Sequence, residues 1–459
     1  MSGDAIDLSA LAARLGGTAL APGDDGWDAA RRAWNLAADQ HPAAVVLARR
    51  ADDVRATVDF ARERGLRVAP QATGHAASGI ASLEGTILLR TSRMDGVDID
   101  AGARRARVEA GALWGEVGAR AGEHGLVGVH GSAADVGVVG YTLGGGLGWV
   151  SRLHGLATNS VLAFEVVTGD GELVRADQVS EPDLFWALRG GGGSFGVVTA
   201  MEFSLYPLTE AYAGMIAWPA DRGPEVLRAY LELTRDLPDE MTAWARFLTL
   251  PPLPQVPEFL RAKPIVDVTA CYLGREADGA ELLRPLLDLG EPLLNTFGTI
   301  PAAGLSALNG DPEEPVPGLG DGDLLGELSP EAVDALVDVA GSGSGSPLLS
   351  VQLRQLGGAM ARPPANGGAT AALDAEFAVY SVGMAADPDG AAAVGAHVKK
   401  VHQALEPWSA TRRYLNFVDQ PAPAAQSFDE DTYSRLQEVK AAYDPDGVFR
   451  ANHEVAASV

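Results

Sequence analysis

A single cysteine, Cys271, stands in 459 residues. No intrachain disulfide, Cys-rich zinc site or iron–sulfur cluster can be built from it. Long apolar runs are missing as well: no stretch reaches ~18 uninterrupted apolar residues, so no transmembrane helix is expected. Positive charge is scarce. Lys and Arg number 35 against 61 Asp and Glu, a formal net charge of -26. A surface of that sign repels phosphate backbones and anionic membranes, which argues against nucleic-acid and membrane partners. The segment Met1 to Leu15 carries Asp4 and Asp7 and has no basic start followed by an apolar run. No targeting segment is read there, and the cytoplasm is the expected location.

What is plentiful is glycine, with 55 residues, roughly 12% against a usual ~7%. There is no collagen-like period and no internal repeat, so the excess belongs in loops and close backbone approaches. A hydrophobic share of 47% excludes a disordered chain. At ~100–200 residues per domain the length suits two or three domains.

The pattern from Asp52 to Gly65 predicts a helix, with Val54, Val58 and Ala61 at helical spacing and Asp52–Asp53 suiting its first turn. Strands are expected at Leu66–Pro70, Thr86–Arg90 and Arg104–Ala110, and a helix at Leu113–His124. Leu162–Thr168 and Glu172–Arg175 read as a hairpin about Gly169-Asp170-Gly171. Asp183–Leu188 reads as a short helix and Val197–Tyr206 as an alternating strand closed by Pro207. Beyond Pro207 the texture changes. Helices are expected at Gly223–Asp236, Ala280–Leu287 and Glu331–Val339, and strands at Thr242–Leu250, Ile265–Tyr272, Leu348–Leu353 and Glu376–Gly383. This predicts a separate antiparallel sheet with helices on one face. Connectors are read at Pro251–Pro257, Asn309–Gly322 and Gly341–Pro347, and a last helix at Asp429–Tyr443.

Three glycine-dense clusters carry the chemistry. The first, Pro70-Gln71-Ala72-Thr73-Gly74-His75-Ala76-Ala77-Ser78-Gly79, follows a strand and is small at nearly every position. Such a loop lets backbone N–H groups cradle an anion, with His75 projecting from it; an ordinary turn with an ordinary histidine reads the same way. The second runs from Gly137 to Gly148 and holds Gly140, Gly144, Gly145, Gly146 and Gly148. No regular element is expected through it, and it is not a dinucleotide fingerprint. The third, Phe185 to Thr199, contains Gly190 to Gly193, Ser194 and Gly196 before Val197 and Val198. Three such loops point to a large, phosphate-bearing cofactor.

The order of these blocks resembles the flavoenzymes of the vanillyl-alcohol oxidase superfamily, in particular the berberine-bridge-enzyme-like, hydroxynicotine-oxidase-like branch. Arg152-Leu153-His154-Gly155-Leu156-Ala157 resembles the branch's Lys-Tyr-Gly-Leu-Ala stretch. Tyr414-Leu415-Asn416-Phe417-Val418-Asp419, the run Tyr433 to Pro445, and Phe449-Arg450-Ala451-Asn452 resemble its closing signature. The resemblance implies an α+β fold: a vanillyl-alcohol-oxidase-type (PCMH-type) FAD-binding domain at 1–206, a substrate domain of antiparallel sheet covered by helices at 207–409, and a segment, 410–459, returning to the FAD domain. It implies FAD attached covalently to His75. The family usually shows Arg-x-Gly-Gly-His where this chain has Gln71-Ala72-Thr73-Gly74-His75. A second attachment, a cysteine in Gly-x-Cys-x-x-Val, meets Gly131-Ser132-Ala133-Ala134-Asp135-Val136, so His75 is the only expected link.

The cofactor contacts implied by the resemblance are Gln71, Ala72, Thr73, Gly74, Ala76, Ser78, Gly79, Gly131, Ser132, Val136, Gly137, Gly140, Tyr141, Gly144, Gly145, Gly146, Gly148, Gly196, Val198, Asn416 and Asn452. Tyr141 stands where relatives place a histidine near the flavin pyrimidine edge. Asn159, Ser160 and Ser194 replace common family residues and keep a hydrogen-bonding side chain. Val136 would leave room for dioxygen beside the flavin, which favours an oxidase over a dehydrogenase; it reads equally as a core valine.

The activity implied is oxidation of an alcohol or amine carbon of a small molecule, secondary metabolites included, with hydride passing to flavin N5, reoxidation by O2 and release of H2O2. A base must then take a proton. Strand alternation puts Glu376, Ala378, Tyr380 and Val382 on one face, and Tyr414 opens the Tyr-x-Asn motif completed by Asn416. Tyr380 and Tyr414 are the candidate bases, with Gln352 and Arg354 on a neighbouring strand face as supports; Tyr380 also reads as a core aromatic. A dehydrogenase, an oxidative cyclase, a flavoprotein without turnover and a non-flavin carbohydrate-binding protein are the alternatives. A monomer or homodimer is expected.

Overall fold

The computed structural model describes residues 6–457 other than 81, 253 and 255. Residues 1–5 of the expected first unit, and 253 and 255 of the expected connector 251–257, lie outside it.

Two sheets form the N-terminal half. The first has four strands in the order Thr18–Leu20, Ala44–Leu47, Thr86–Arg90, Arg67–Gln71; the first pair is antiparallel and the other two are parallel. Helix Ala51–Glu63 covers it through Val54, Val58, Phe60 and Ala61. Asp52 is exposed, whereas Asp53 is fully buried. The Asp53 carboxylate accepts from Gly16 N at 2.7 Å and Arg49 N at 2.9 Å, so it ties two chain segments to the helix start.

The second sheet is antiparallel, in the order Val97–Asp100, Arg105–Glu109, Val197–Ser204, Val161–Val167, Leu173–Ala176. Its core packs Trp114, Phe164, Phe185, Phe195 and Phe203 against helices Trp114–Gly122 and Pro182–Leu188. The tail returns to this half. Helix Glu430–Tyr443 is capped by Asp429, which accepts from Thr432 N. Lys440, buried in this helix, donates to Ser194 O at 2.7 Å and to the Asp444 carboxylate. Asp444 in turn accepts from Val448 N and Phe449 N at 2.7 and 3.0 Å. Val68 N donates to Val448 O at 2.8 Å, so the tail extends the edge of the first sheet.

The third sheet is the large one. Its path is Leu294–Asn295, Glu210–Pro219, Pro264–Tyr272, Met241–Thr249, Ser350–Gln355, Phe377–Met384, Gly318–Leu325, all antiparallel, with Gly298–Pro301 also on Glu210–Pro219. The outer face buries Trp218, Phe247, Val266, Val268, Leu353, Phe377 and Val379 under helices Gly223–Arg235, Pro330–Ala340 and Pro388–Leu405. At ~1.5–3 kcal/mol per buried large apolar side chain, this layer is a main source of cohesion. The inner face carries Arg246, Asp267, Thr269, Gln352, Arg354 and Tyr380 and looks toward the glycine-rich region and the Tyr414–Asp419 run. Trp149 of the glycine-rich region stacks on Trp244 of this face at 3.7 Å. Arg152 reaches across, donating to the carbonyls of Met241, Leu237 and Leu356.

The structure departs from four readings of the sequence. Part of the expected connector 309–322 is strand: Gly318–Leu325 pairs residue by residue with Phe377–Met384. A Cβ at Gly320 would lie 2.8 Å from the Tyr380 hydroxyl and one at Gly322 3.2 Å from the Tyr380 ring, so the aromatic ring fills the space these glycines leave. The Gly137–Gly148 region contains a helical turn and a half, Val138–Leu143, with Gly140 on its exposed side. The single helix expected at 280–287 is two, Glu276–Leu282 and Arg284–Leu287, with Pro285 just inside the second. Helix Pro388–Leu405 and strand Glu210–Pro219 were not foreseen. No helix among the described residues is long and apolar enough to cross a membrane.

Candidate flavin and substrate site

The first and second loops meet. A Cβ at Gly137 would stand 3.4 Å from that of Ala72. The backbone N–H groups of Thr73, Gly74, His75 and Ala76 make no hydrogen bond among the described residues, and neither do those of Ser132 through Val136. Their carbonyls, by contrast, are tied: Ala134 O accepts from Gly115 N and Val136 O from Trp114 N, at 2.7 and 3.1 Å. Two adjoining runs of free N–H groups form an anion nest. Gly74 sits at φ 92° and passes within reach of Ala33 and Gln71, so the tight turn requires glycine.

His75 stacks on Trp34 with ring centroids 4.0 Å apart. Its Nε2 lies 3.4 Å from Asp135 Oδ2, and both atoms are buried without a hydrogen bond. The loop is clamped from both ends of the chain. Asn35 donates to Ser78 Oγ at 3.2 Å, and Asn452 donates to Ala76 O at 2.5 Å. Gly79 packs against Asn452 and His453.

The positive charge missing at position 71 is supplied by the neighbouring strand. Arg90 pairs with Gln71 in register and donates to its Oε1 at 2.9 Å, to Ala72 O at 2.9 Å and to Arg32 O at 2.8 Å. Burial pushes this guanidinium down to about 10. The sequence pattern marks Arg90 only as the end of a strand; the parallel register 71↔90 is the signal that identifies it.

The glycines at 144–148 exist for close approach to other protein groups. A Cβ at Gly144 would stand 1.8 Å from Asn416 Oδ1, one at Gly145 3.1 Å from the Tyr414 ring, one at Gly146 2.4 Å from the Tyr141 ring and one at Gly148 1.7 Å from His130 O. Asn416 donates to Tyr141 O at 2.9 Å and to the Tyr414 hydroxyl at 3.2 Å. The Tyr141 ring covers Gly131, and its buried hydroxyl has no partner. Burial raises both Tyr141 and Tyr414 above the ordinary phenol range.

Across from these loops stands the inner face of the large sheet. Tyr380 and Tyr414 are brought together: each ring lies 5.2 Å from that of Phe417. The Tyr380 hydroxyl donates to Asp419 Oδ2. Burial first, and then the Asp419 carboxylate, push Tyr380 well above 10. Burial pushes Asp419 up to about 6 against the opposing effect of the Tyr380 hydrogen bond. Asp419 lies within the Tyr-x-Asn run yet had no assigned role, because its partner is 39 residues away. Beside them, Arg354 donates through Nε to Gln352 Oε1 at 2.7 Å, and Gln352 donates to Asn309 Oδ1 at 3.0 Å. Arg246 joins Asn309 to the buried Asp267, which it meets at 2.7 Å. Asp311 closes the chain, accepting from Asn309 at 2.6 Å and from Ser132 Oγ of the second loop at 2.7 Å.

The remaining expected residues have these surroundings. Glu376 is exposed just ahead of the strand that carries Tyr380. Val198 lies in the second sheet and Gly196 just ahead of its strand, where a Cβ at Gly196 would strike Val166 at 2.5 Å. The Ser194 hydroxyl accepts from Val455 N at 3.0 Å, and Ser160 bonds Tyr206. Asn159 donates to Ala371 O at 2.8 Å. Val136 is half-buried against the Trp114 core.

With this geometry in view, comparisons with known proteins are specific. The family described as FAD binding domain matches residues 42–177, and the family described as berberine and berberine like matches 413–456. The two matched segments make the chain similar to the berberine-bridge-enzyme-like flavoproteins, and its relatives, named as FAD-linked oxidoreductases and oxidases, support an FAD-linked oxidoreductase. It is 35% identical over 203 residues to (R)-6-hydroxynicotine oxidase of Paenarthrobacter nicotinovorans, a match spanning 44% of either chain. It is 28% identical over 464 residues to an uncharacterized FAD-linked oxidoreductase of Bacillus subtilis, covering 97% of this chain and 99% of that one. Among solved structures, 6-hydroxy-D-nicotine oxidase from Arthrobacter nicotinovorans superposes with a TM-score of 0.84 at 26% identity, covering 96% of this chain and 98% of that one. Physcomitrella patens BBE-like 1 shares the fold, at TM-score 0.87 and 19% identity over 99% of this chain and 100% of that one.

The residues present fit FAD. The two runs of free N–H groups suit its pyrophosphate, and the unpartnered His75 Nε2 and Tyr141 hydroxyl are polar groups awaiting a ligand.

Proposed function

We propose that this chain is an FAD-dependent oxidase acting on an alcohol or amine carbon of a small molecule, with the cofactor attached covalently through His75 alone. In this reading residues 1–206 and 410–459 hold the cofactor and 207–409 the substrate. When bound, FAD supplies the hydride acceptor, and dioxygen restores it with release of H2O2.

The observation that carries the reading is the hydrogen bond from Tyr380 to Asp419 at the sheet face opposite the cofactor loops. A free Tyr380 phenolate does not form near neutral pH, since burial and the adjacent carboxylate hold the hydroxyl protonated. Tyr380 therefore serves as a relay. As the substrate O–H or N–H proton reaches the Tyr380 oxygen, the Tyr380 proton passes to Asp419 Oδ2. With its carboxyl near 6, Asp419 is ionised at pH 7–8 and suitably matched to accept it. Tyr414, held by Asn416, orients the substrate. His75 and the free N–H groups of 73–76 and 132–136 hold the cofactor, and the polar chain from Ser132 through Asp311 to Arg246 and Arg354 fixes the sheet against the second loop. Val136, small at its position, leaves a path for dioxygen.

The test is an anaerobic screen of alcohols and amines for bleaching of the flavin, followed by admission of air with peroxide detection. Bleaching followed by rapid recovery and stoichiometric peroxide supports the oxidase. Bleaching with recovery only on an artificial acceptor means a dehydrogenase, and no bleaching across the panel counts against turnover of either substrate class.

A further inference from the structure

Among the described residues, other cations on and beside the large sheet's inner face have their partners. Arg246 holds Asp267 at 2.7 Å, Arg413 holds Asp321 and Asp323 at 2.8 and 3.0 Å, and Arg152 is spent on backbone carbonyls. Arg354 is different. It is 9% exposed, and its only hydrogen bond among the described residues is from Nε to Gln352. Among the described residues Nη1 and Nη2 have no acceptor and no carboxylate stands within ion-pair distance; Asp311 acts on it only at longer range.

The guanidinium is nonetheless fixed. Its Cζ lies 4.1 Å from the centre of the Trp244 ring and 5.0 Å from that of Phe417, and Gln352 is itself locked by Asn309. Trp149 backs Trp244 from the other half of the molecule. Held this way, the guanidinium keeps a forked pair of donors beside Phe417, the ring that separates Tyr380 from Tyr414. A buried cation without a counter-charge is costly. A planar oxyanion taking both Nη donors removes that cost, and the fork geometry selects a carboxylate.

We propose that Arg354 is the specificity-determining residue of the substrate site and that the substrate carries a carboxylate bound by its Nη1 and Nη2. The inference rests on the proposed function only in taking this cluster as the substrate site. It places the alcohol or amine to be oxidised on a molecule with a second, anionic end, anchored at Arg354 while the reacting end faces Tyr380.

The test needs no turnover. Holoprotein is titrated calorimetrically with benzoate and with its neutral isostere benzamide. Benzoate is expected to bind at least about 30-fold more tightly than benzamide, Arg354→Gln to remove that preference, and Arg354→Lys to restore part of it. Melting curves and flavin content of both variants check folding. Equal affinity for benzoate and benzamide in the unmutated protein overturns the proposal, even where the variants fail to fold. So does benzoate binding unchanged in a folded Arg354→Gln protein, including the case in which that variant shifts only the pH profile of flavin reduction. Arg354-dependent benzoate binding in a protein that oxidises no alcohol or amine sustains this inference and removes the oxidase reading.

Discussion

Replacing Asp419 with asparagine separates catalysis from stability at one atom. The asparagine Oδ1 still accepts the Tyr380 hydrogen bond, so the geometry is kept while the proton acceptor is lost. Loss of a positioned base typically costs ~10²–10⁴-fold, and the lower end, about 100-fold, corresponds to ~2.7 kcal/mol of barrier. Stability moves the other way. The folded carboxyl is raised from its ordinary 3.8 to about 6, so the native state holds this proton more tightly than the unfolded chain. The stabilisation linked to that proton is present below about pH 4 and lost as pH rises through about 6. At 1.36 kcal/mol per pKa step, ionised Asp419 costs up to about 3 kcal/mol at pH 8, less where water reaches the carboxylate. Asp419→Asn is therefore expected to melt higher than the unmutated protein at pH 8, with the gap closing toward pH 4. The assay is stopped-flow flavin reduction from pH 5 to 9 with the substrate found in the anaerobic screen, alongside thermal melts over the same range. The unmutated enzyme should gain rate through about pH 6, and the variant should be slow and flat. An Asp419→Asn protein that keeps both its rate and the ascending limb refutes the relay.

Other outcomes follow from single contacts. Val136→Leu should slow reoxidation of the reduced enzyme in air-saturated buffer while leaving anaerobic reduction nearly intact, read by the return of flavin absorbance. Gly144→Ala places a Cβ 1.8 Å from Asn416 Oδ1; displacing Asn416 breaks its bonds to Tyr141 O and Tyr414, at about 1–3 kcal/mol in total stability. The double variant Gly144→Ala, Asn416→Ala should then melt no lower than Asn416→Ala alone. Lys440→Met strips the buried Asp444 of its cation and should lower the urea midpoint by the equivalent of ~3–5 kcal/mol, detaching the tail that carries Phe449.

How much of this was visible in the sequence depends on how local the cause is. The strand Thr86–Arg90 and the hairpin about Gly169–Gly171 announce themselves through apolar runs and turn residues within a few positions. Strand Gly318–Leu325 does not: Gly320 and Gly322 weaken any strand reading, and what admits them is the Tyr380 ring from the neighbouring strand. Helix Pro388–Leu405 carries a usable signal, with Asp387 capping Gly390 N at 2.8 Å and Val394, Val398, Val401 and Leu405 spaced along one face, but its alanines and glycines dilute the pattern. In the site, the loop around His75 and the Tyr-x-Asn run are legible because each is contiguous. Arg90 beside Gln71, Asp419 beneath Tyr380 and Asp311 on Ser132 are set by strand register and by packing of one half of the molecule on the other, which no local window contains.

FAD is proposed to be held here through a covalent bond to His75 and nowhere else. Acid-precipitating the purified protein and measuring flavin in pellet and supernatant tests it most directly, with peptide mass mapping of the pellet. The expected result is a yellow pellet, one flavin-bearing peptide containing His75, and release of the flavin to the supernatant in His75→Ala. Flavin freed from the unmutated protein, or a flavin-bearing peptide that lacks His75, contradicts it.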